Sequence, residues 1–184
     1  MATVIYSNMG DIDTKVLEGI WQNIPNINVV EIKRNTINAS ELVNEAIKKE
    51  DDLLIFTGHG LPGGLLNSSS HGGTFLLDTR NVQLVHAKKV IGVWCYASSF
   101  AEYTHLKGFF SSMFISNAGE ARANNCYRSK SNTITEQEIL FCERLNKLIL
   151  TETPMDKWVQ NLKDQADMNI DIVNFNYNGL RYFS

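Results

Sequence analysis

The sequence predicts an α/β protein, a three-layer α/β/α sandwich with a mainly parallel central sheet. Short, uninterrupted apolar runs, typical of strands buried on both faces, alternate along the chain with amphipathic stretches. Strands that alternate with helices in this way form parallel sheets covered on both sides. Neither an internal repeat nor a linker-like break interrupts the 184 residues, so we expect one domain spanning residues 1–184.

Each predicted strand is a short apolar run bounded by polar or turn-forming residues. In chain order these runs are 3–6 (TVIY), 27–32 (INVVEI), 53–57 (LLIFT), 90–94 (VIGVW) and 113–116 (MFIS). The run at 53–57 has the character of a central strand, because it carries almost no polar residue. The tail, with its IDIVNFNYNG segment, predicts a further edge strand.

The predicted helices show apolar residues at helical spacing, with capping residues at several of their ends. They cover residues 13–23, 41–49, 80–88, 98–107, 135–150 and 154–166. The clearest is 135–150, in which Ile139, Leu140, Leu145 and Leu148 predict the buried stripe. Residues 58–73 (GHGLPGGLLNSSSHGG) and 117–133 are predicted to be loops, because they are rich in glycine or polar residues.

Composition and charge exclude several classes of function. Hydrophobic residues make up 43% and charged residues 20% of the chain, which is typical of a globular protein. The net charge of -3 and the scattered basic residues give no reason to expect nucleic acid or an anionic membrane as partner. The chain has neither a signal-peptide pattern nor an apolar run of membrane-spanning length, which predicts a cytoplasmic location.

The three cysteines are Cys95, Cys126 and Cys142. They are too few for a disulfide framework, and they form no CxxC pair of the kind that holds structural zinc. We therefore expect reduced thiols, no metal site and no cofactor.

Two predicted strands end in residues with catalytic potential. The run LLIFT leads into Gly58-His59-Gly60, and the run VIGVW leads directly into Cys95. Ligands of open parallel sheets bind beyond the carboxyl ends of the strands. The sequence therefore predicts that His59 and Cys95 lie close together at that edge.

A cysteine thiol becomes an effective nucleophile when a base takes its proton, and histidine performs this role and later protonates the leaving group. The backbone amides of Gly60 and Cys95 are candidates for stabilising a developing oxyanion. Ser98 or Ser99 is predicted to cap the following helix, whose positive end would favour the Cys95 thiolate.

These two motifs, in this order, resemble those of the caspase-like cysteine peptidases, and most of all the legumain- and clostripain-type members. The segment 113–124 (MFISNAGEARAN) is similar to the strand and loop that shape the substrate pocket in such enzymes. The resemblance implies a caspase-like fold, cleavage of peptide or protein substrates, and a dyad of His59 as base and Cys95 as nucleophile. It implies no cofactor.

Four residues are candidates for substrate binding. Glu120 and Asn117 follow the predicted strand 113–116, and Asp13 follows the first strand. Val93 stands two positions before the cysteine, where caspase-like peptidases often carry an acidic or amide residue. If Glu120 or Asp13 faces the pocket, we expect a basic residue before the cleaved bond; otherwise Val93 predicts a smaller or neutral one.

Three alternatives remain open from the sequence. The domain can be a catalytically inactive caspase-like module used for binding or regulation. A nucleotide-binding α/β domain is less favoured, because no phosphate-binding fingerprint is present. His71, in a second His-Gly pair, is the lesser candidate for the base because no strong strand precedes it.

Overall fold

The computed structural model describes residues 1–49, 51–69 and 74–184. The strands within these residues are β1 (Ala2–Ser7), β2 (Ile27–Ile32), β3 (Leu53–Gly58), β4 (Gly60–Leu61), β5 (Gly64–Leu66), β6 (Phe75–Leu77), β7 (Val90–Val93), β8 (Gly108–Phe110) and β9 (Arg181–Phe183). The helices are α1 (Ile12–Val16), α2 (Ala39–Ile47), α3 (Ala97–Thr104), α4 (Ala118–Ala123), α5 (Ser131–Leu150), α6 (Trp158–Asp164) and α7 (Asp171–Asn178). Short 3₁₀ segments extend α1 over Leu17–Trp21 and precede α6.

The central sheet has six strands in the order β2-β1-β3-β7-β8-β9. All neighbouring pairs are parallel except β8 with β9. After β1 the chain moves outward to β2 and then returns to place β3 on the other side of β1. The strand order therefore reverses between β1 and β3, and such a switch point opens a crevice at the carboxyl ends of the strands.

Apolar side chains pack on both faces of the sheet, because successive strand residues point to opposite sides. Val4 and Tyr6 of β1 belong to a core shared with α5, α6 and α7, while Ile5 belongs to a second core shared with α2 and α3. The prediction of an α/β protein with a mainly parallel sheet is confirmed. Helices on both faces are consistent with a three-layer arrangement.

The buried face of α5 matches the predicted stripe at Leu145 and Leu148 but not at Ile139. Ile139 is 43% exposed, and the buried positions are Ile134, Glu138, Phe141, Cys142, Leu145 and Leu148. On this buried face Phe141 packs against Phe114 and against Tyr177 of α7. As a consequence, the acidic residue Glu138 lies on the buried face.

Several local predictions are wrong. Part of the predicted loop 58–73 forms a hairpin, in which β5 pairs with β4 and β6, because Leu65 is fully buried. Residues 80–88 contain only a 3₁₀ turn, and the strand predicted at 113–116 occurs instead at β8. The polar segment 117–133 contains α4 and the start of α5.

The C-terminal segment also differs from its predicted structure. Most of the segment predicted as an edge strand forms α7, and the edge strand β9 follows it. His71 lies outside the described residues. None of the helices in the described part of the chain combines the length and apolarity needed to cross a bilayer.

Candidate active site

The carboxyl ends of β1, β3 and β7 meet at one cleft. The chain leaving β1 places Asp13 there, the chain leaving β3 places His59, and the chain leaving β7 places Cys95. Because β3 and β7 are adjacent parallel strands, His59 and Cys95 follow neighbouring strand ends. The structure thus brings the predicted histidine and the predicted cysteine to the same cleft, beside the switch point.

The two glycines around His59 are required by close packing. Gly58 has φ of +144°, and a Cβ there would lie 2.7 Å from the carbonyl oxygen of Ser7. At Gly60 a Cβ would lie 1.9 Å from Cδ1 of the buried Trp94. Only glycine allows both approaches without displacing β1 or the tryptophan ring.

His59 is oriented by Asp11, which ends the loop after β1. The Nε2 atom of His59 lies 2.9 Å from Oδ2 of Asp11, while Oδ1 of Asp11 accepts the Thr14 amide and caps α1. Burial acts in the opposite direction, but hydrogen bonds from Thr14 and His59 lower the pKa of the Asp11 carboxyl. An ionised carboxylate only accepts hydrogen bonds, so Nε2 is the donor in this contact and Nδ1 is the ring nitrogen left to act as a base.

The Cys95 thiol is a neutral, half-buried group in this site. Its Sγ donates to the carbonyl oxygen of Phe114 at 3.5 Å. Burial raises the pKa of the thiol to about 11, and the carboxyls of Glu120, Glu138 and Asp13 act in the same direction. The sulfur must therefore give up its proton to a base at the moment of attack.

The prediction that Ser98 or Ser99 caps the helix after Cys95 is wrong. Helix α3 begins at Ala97 after Tyr96, which has a left-handed conformation, and neither Ser98 nor Ser99 caps it. Burial and the nearby acids raise the pKa of Cys95, which disfavours the thiolate.

The predicted oxyanion donors differ in their surroundings. The Cys95 amide donates a hydrogen bond to none of the residues that the structure describes. In the hairpin, the Leu66 amide donates to the His59 carbonyl, so the facing residues Gly60 and Leu65 form a non-hydrogen-bonded pair. The Gly60 amide therefore points away from β5.

Acidic residues approach the cleft from two sides through a shared serine. Oδ2 of Asp13 accepts a hydrogen bond from the side-chain amide of Asn117 at 3.0 Å. The Ser116 hydroxyl lies 3.1 Å from Oδ2 of Asp13 and 3.1 Å from Oε2 of Glu120, so its single proton is shared between the two carboxyls. Oε2 of Glu120 accepts the Ser116 backbone amide at 2.8 Å. Asp13 and Ser116 line the cleft, whereas Asn117 caps α4 and Glu120 lies behind Ser116.

Glu138 reaches the same cleft from α5. The residue is only 4% exposed, lines the cleft, and has neither a hydrogen bond nor an ion pair with any of the described residues. Burial raises the pKa of its carboxyl to about 9, with further contributions from Asp13, Glu120 and Asp11. Glu138 is therefore protonated at neutral pH when the cleft is empty.

The cleft is narrow and lined by both polar and apolar groups. Its cavity volume is about 20 Å³, which is room for about one water-sized group. The apolar lining includes Val93, Leu17 and Phe114. Val93 is thus on the wall of the cleft, as is Asp13. No group of three or more His, Cys, Asp or Glu side chains in the described residues is arranged to hold a metal ion.

Asp11 and Glu138, which the sequence-based predictions did not place in the site, each have a recognisable signal in the sequence. Asp11 precedes Thr14 by three positions, the spacing of an N-cap, and it follows the strand adjacent to the one ending at His59. Glu138 lies four residues after Ile134 and three before Phe141, so it is a lone acid within an apolar stripe.

Comparison with known proteins leaves the family of this chain open. A scan against models of protein families finds no match, and a search of curated proteins finds no similar sequence.

Proposed function

We propose that this protein is a caspase-like cysteine endopeptidase, in which Cys95 is the nucleophile and His59 is the base. The observation that carries the proposal is the meeting of these two side chains at one cleft, from the ends of adjacent parallel strands. The hydrogen bond from His59 to Asp11 supports it further, because a base that is itself oriented by a third group is characteristic of nucleophilic catalysis.

In the proposed mechanism, the substrate carbonyl enters beside Cys95. The Sγ–H proton passes to Nδ1 of His59 as sulfur bonds to the carbonyl carbon. The Cys95 and Gly60 amides stabilise the resulting oxyanion. The C–N bond then breaks, and His59 protonates the departing amine.

Water completes the reaction. His59 takes a proton from a water molecule while the water oxygen attacks the thioester carbon. The C–S bond then breaks and releases the new carboxyl terminus. The proton on His59 returns to sulfur. Asp11 is a positioning residue in this scheme, since it touches His59 and not the substrate, and its carboxylate also stabilises the imidazolium formed in each half of the cycle.

The properties of the resting thiol favour a second candidate, a caspase-like module that binds a partner without cleaving it. The thiol donates to the Phe114 carbonyl and has a pKa of about 11, so the empty site has no thiolate ready for attack. In a peptidase, substrate binding must displace this hydrogen bond. A binding module can keep this hydrogen bond when its partner binds.

Labelling by a peptide electrophile separates the two candidates. A peptidyl acyloxymethyl ketone library is incubated with the wild-type chain and with Cys95→Ala and His59→Ala. We expect covalent modification at Cys95 in the wild type alone, together with cleavage of a matched peptide library. His86→Ala is a control, because His86 lies outside the cleft. Absence of labelling and cleavage in the folded wild type would favour the binding module.

A further inference from the structure

The cleft beside Cys95 contains more acid than the hydrolysis of a peptide bond requires. The proposed mechanism uses one carboxylate, Asp11, yet Asp13 and Glu138 also line the cleft and Glu120 lies behind Ser116. None of these last three acids forms an ion pair with a lysine or arginine of the described residues. Within the part of the chain that the structure describes, no lysine or arginine therefore compensates the charge of this cluster.

Glu138 is the observation that points to a ligand. Glu138 is only 4% exposed as a residue, and its carboxyl has no hydrogen-bond partner among the described residues, so a charge at this position is costly. Its neighbours on the buried face of α5, such as Phe141 and Leu145, are apolar, and a leucine or methionine would fill that position without the cost. Because Glu138 lines the cleft, a group arriving from solvent can supply the partner that the fold does not.

The hydrogen bonds of Asp13 leave it able to bind the same ligand. Oδ2 of Asp13 accepts from the side-chain amide of Asn117 and contacts the Ser116 hydroxyl, which it shares with Glu120, and these contacts hold the carboxyl in place. Its other oxygen, Oδ1, accepts no hydrogen bond from the described residues. A positioned carboxylate with one free oxygen and a buried carboxyl nearby form a site for a donor of several hydrogen bonds.

The size of the cleft selects among cations. Its volume of about 20 Å³ is room for a single water-sized group. The ammonium of lysine is compact, has three donors and sits at the end of a thin aliphatic stem, whereas the guanidinium of arginine is a wide planar fork. The apolar wall formed by Val93, Leu17 and Phe114 suits that stem.

We infer that this cleft is a specificity pocket for a primary ammonium group, bound by Asp13 and Glu138, so that the substrate has lysine before the cleaved bond. The inference rests on the proposed peptidase function for its link to cleavage, but the binding of the ammonium group does not depend on it. On binding, Glu138 releases its proton and forms an ion pair with the ammonium. The same positive charge offsets the acids that disfavour the thiolate of Cys95. Binding of a lysine substrate therefore favours attack by the Cys95 sulfur on the substrate carbonyl.

Binding is measured with the Cys95→Ala variant of the 184-residue chain, which cannot form an acyl-enzyme. The probes are fluorescein-labelled octapeptides of alanine and glycine with a single central lysine, norleucine or arginine, followed by fluorescence anisotropy. We expect the lysine peptide to bind about tenfold or more tightly than the norleucine peptide, and more tightly than the arginine peptide. Equal affinities for lysine and norleucine would overturn the inference, and a preference for arginine would overturn the size argument.

Variants in the Cys95→Ala background test the two carboxyls. Glu138→Gln and Asp13→Asn should each remove most of the preference for lysine. Glu136→Gln, an exposed acid on the same helix, should retain it. A full preference in Glu138→Gln would exclude this residue as a ligand. Thermal unfolding of each variant establishes that it is folded.

Cleavage by the wild-type chain distinguishes the two proposals. If the lysine peptide binds with preference but is never cut, the ammonium pocket stands and the peptidase proposal fails. If peptides are cut without regard to lysine, the peptidase proposal stands and the pocket fails.

Discussion

Replacement of Glu138 by glutamine should stabilise the protein, and the gain should depend on pH. Burial and neighbouring acids raise the pKa of this carboxyl from 4.5 to about 9 in the folded state. Between these values the folded chain retains a proton that the unfolded chain releases. Fewer protons are then bound in the unfolded state, so the free energy of unfolding falls as pH rises through this range.

The size of the effect follows from the interval between the two states. In the unfolded chain the Glu138 carboxyl has its ordinary pKa of 4.5, which is about 2.5 units below pH 7. At about 1.4 kcal/mol per unit, keeping the carboxyl protonated in the folded state lowers the free energy of unfolding at pH 7 by about 3 kcal/mol. Glutamine does not ionise, so Glu138→Gln escapes the penalty. The gain should be near zero below pH 4, about 3 kcal/mol at pH 7, and larger as pH approaches 9.

Urea denaturation of both proteins at pH 4, 5.5, 7 and 8.5 measures this difference. Glu136→Gln is the matched control, and as an exposed position on the same helix it should change the free energy of unfolding by less than about 0.5 kcal/mol at any pH. A destabilised Glu138→Gln, or a gain that does not vary with pH, would refute the assignment of Glu138 as a protonated, unpartnered acid. If Glu138→Gln stabilises the protein and also abolishes lysine binding, the Glu138 carboxyl serves binding at a cost in stability.

Three further predictions concern the catalytic groups. The Cys95 thiol has a pKa of about 11, two units above the ordinary 9.0, so it should react with iodoacetamide about 100-fold more slowly than a free thiol at pH 7. The rate, measured by peptide mass spectrometry, should rise about tenfold per pH unit up to pH 10. A rate that stays constant from pH 6 to 9 would indicate a thiolate–imidazolium pair instead. Asp11→Asn keeps the cap of α1 but removes the negative charge beside His59, so kcat/KM should fall at least about tenfold. The acidic limb of the pH profile of kcat/KM should also shift. Unchanged kinetics would exclude Asp11 as the residue that positions His59. Gly60→Ala should lower the free energy of unfolding by about 1–3 kcal/mol because its Cβ meets Trp94, and a neutral result by urea denaturation would mean that the ring moves freely.

Local composition was sufficient to predict the central strands and the two catalytic candidates. The strands β1, β2, β3 and β7 are uninterrupted apolar runs, and a run buried on both faces has few alternatives to a parallel strand. His59 and Cys95 could be placed together because they follow such runs directly. All parallel strands end at one edge, but His59 and Cys95 meet there because β3 and β7 are neighbours, which the strand order of the structure supplies.

Elements with weaker local signals were predicted less well. The hairpin of β4 and β5 lies in a glycine-rich segment, and its strands form because Leu65 finds a core made by distant residues. Residues 113–116 resemble a strand, yet β8 lies earlier at Gly108–Phe110, where Phe109 and Phe110 pack into opposite cores. Apolar content alone does not specify which of two neighbouring runs pairs with β7.

By itself the sequence determined the α/β class, the central strands and the presence of a histidine and a cysteine at strand ends. Only the tertiary structure decided the rotation of α5 and the packing of the loops. Rotation of that helix exposes Ile139 and buries Glu138, and packing brings Asp11 to His59 and Asp13 to Ser116. The physical reason is that a pKa and a partner depend on burial and on residues far apart in the chain, and neither quantity is encoded in local periodicity.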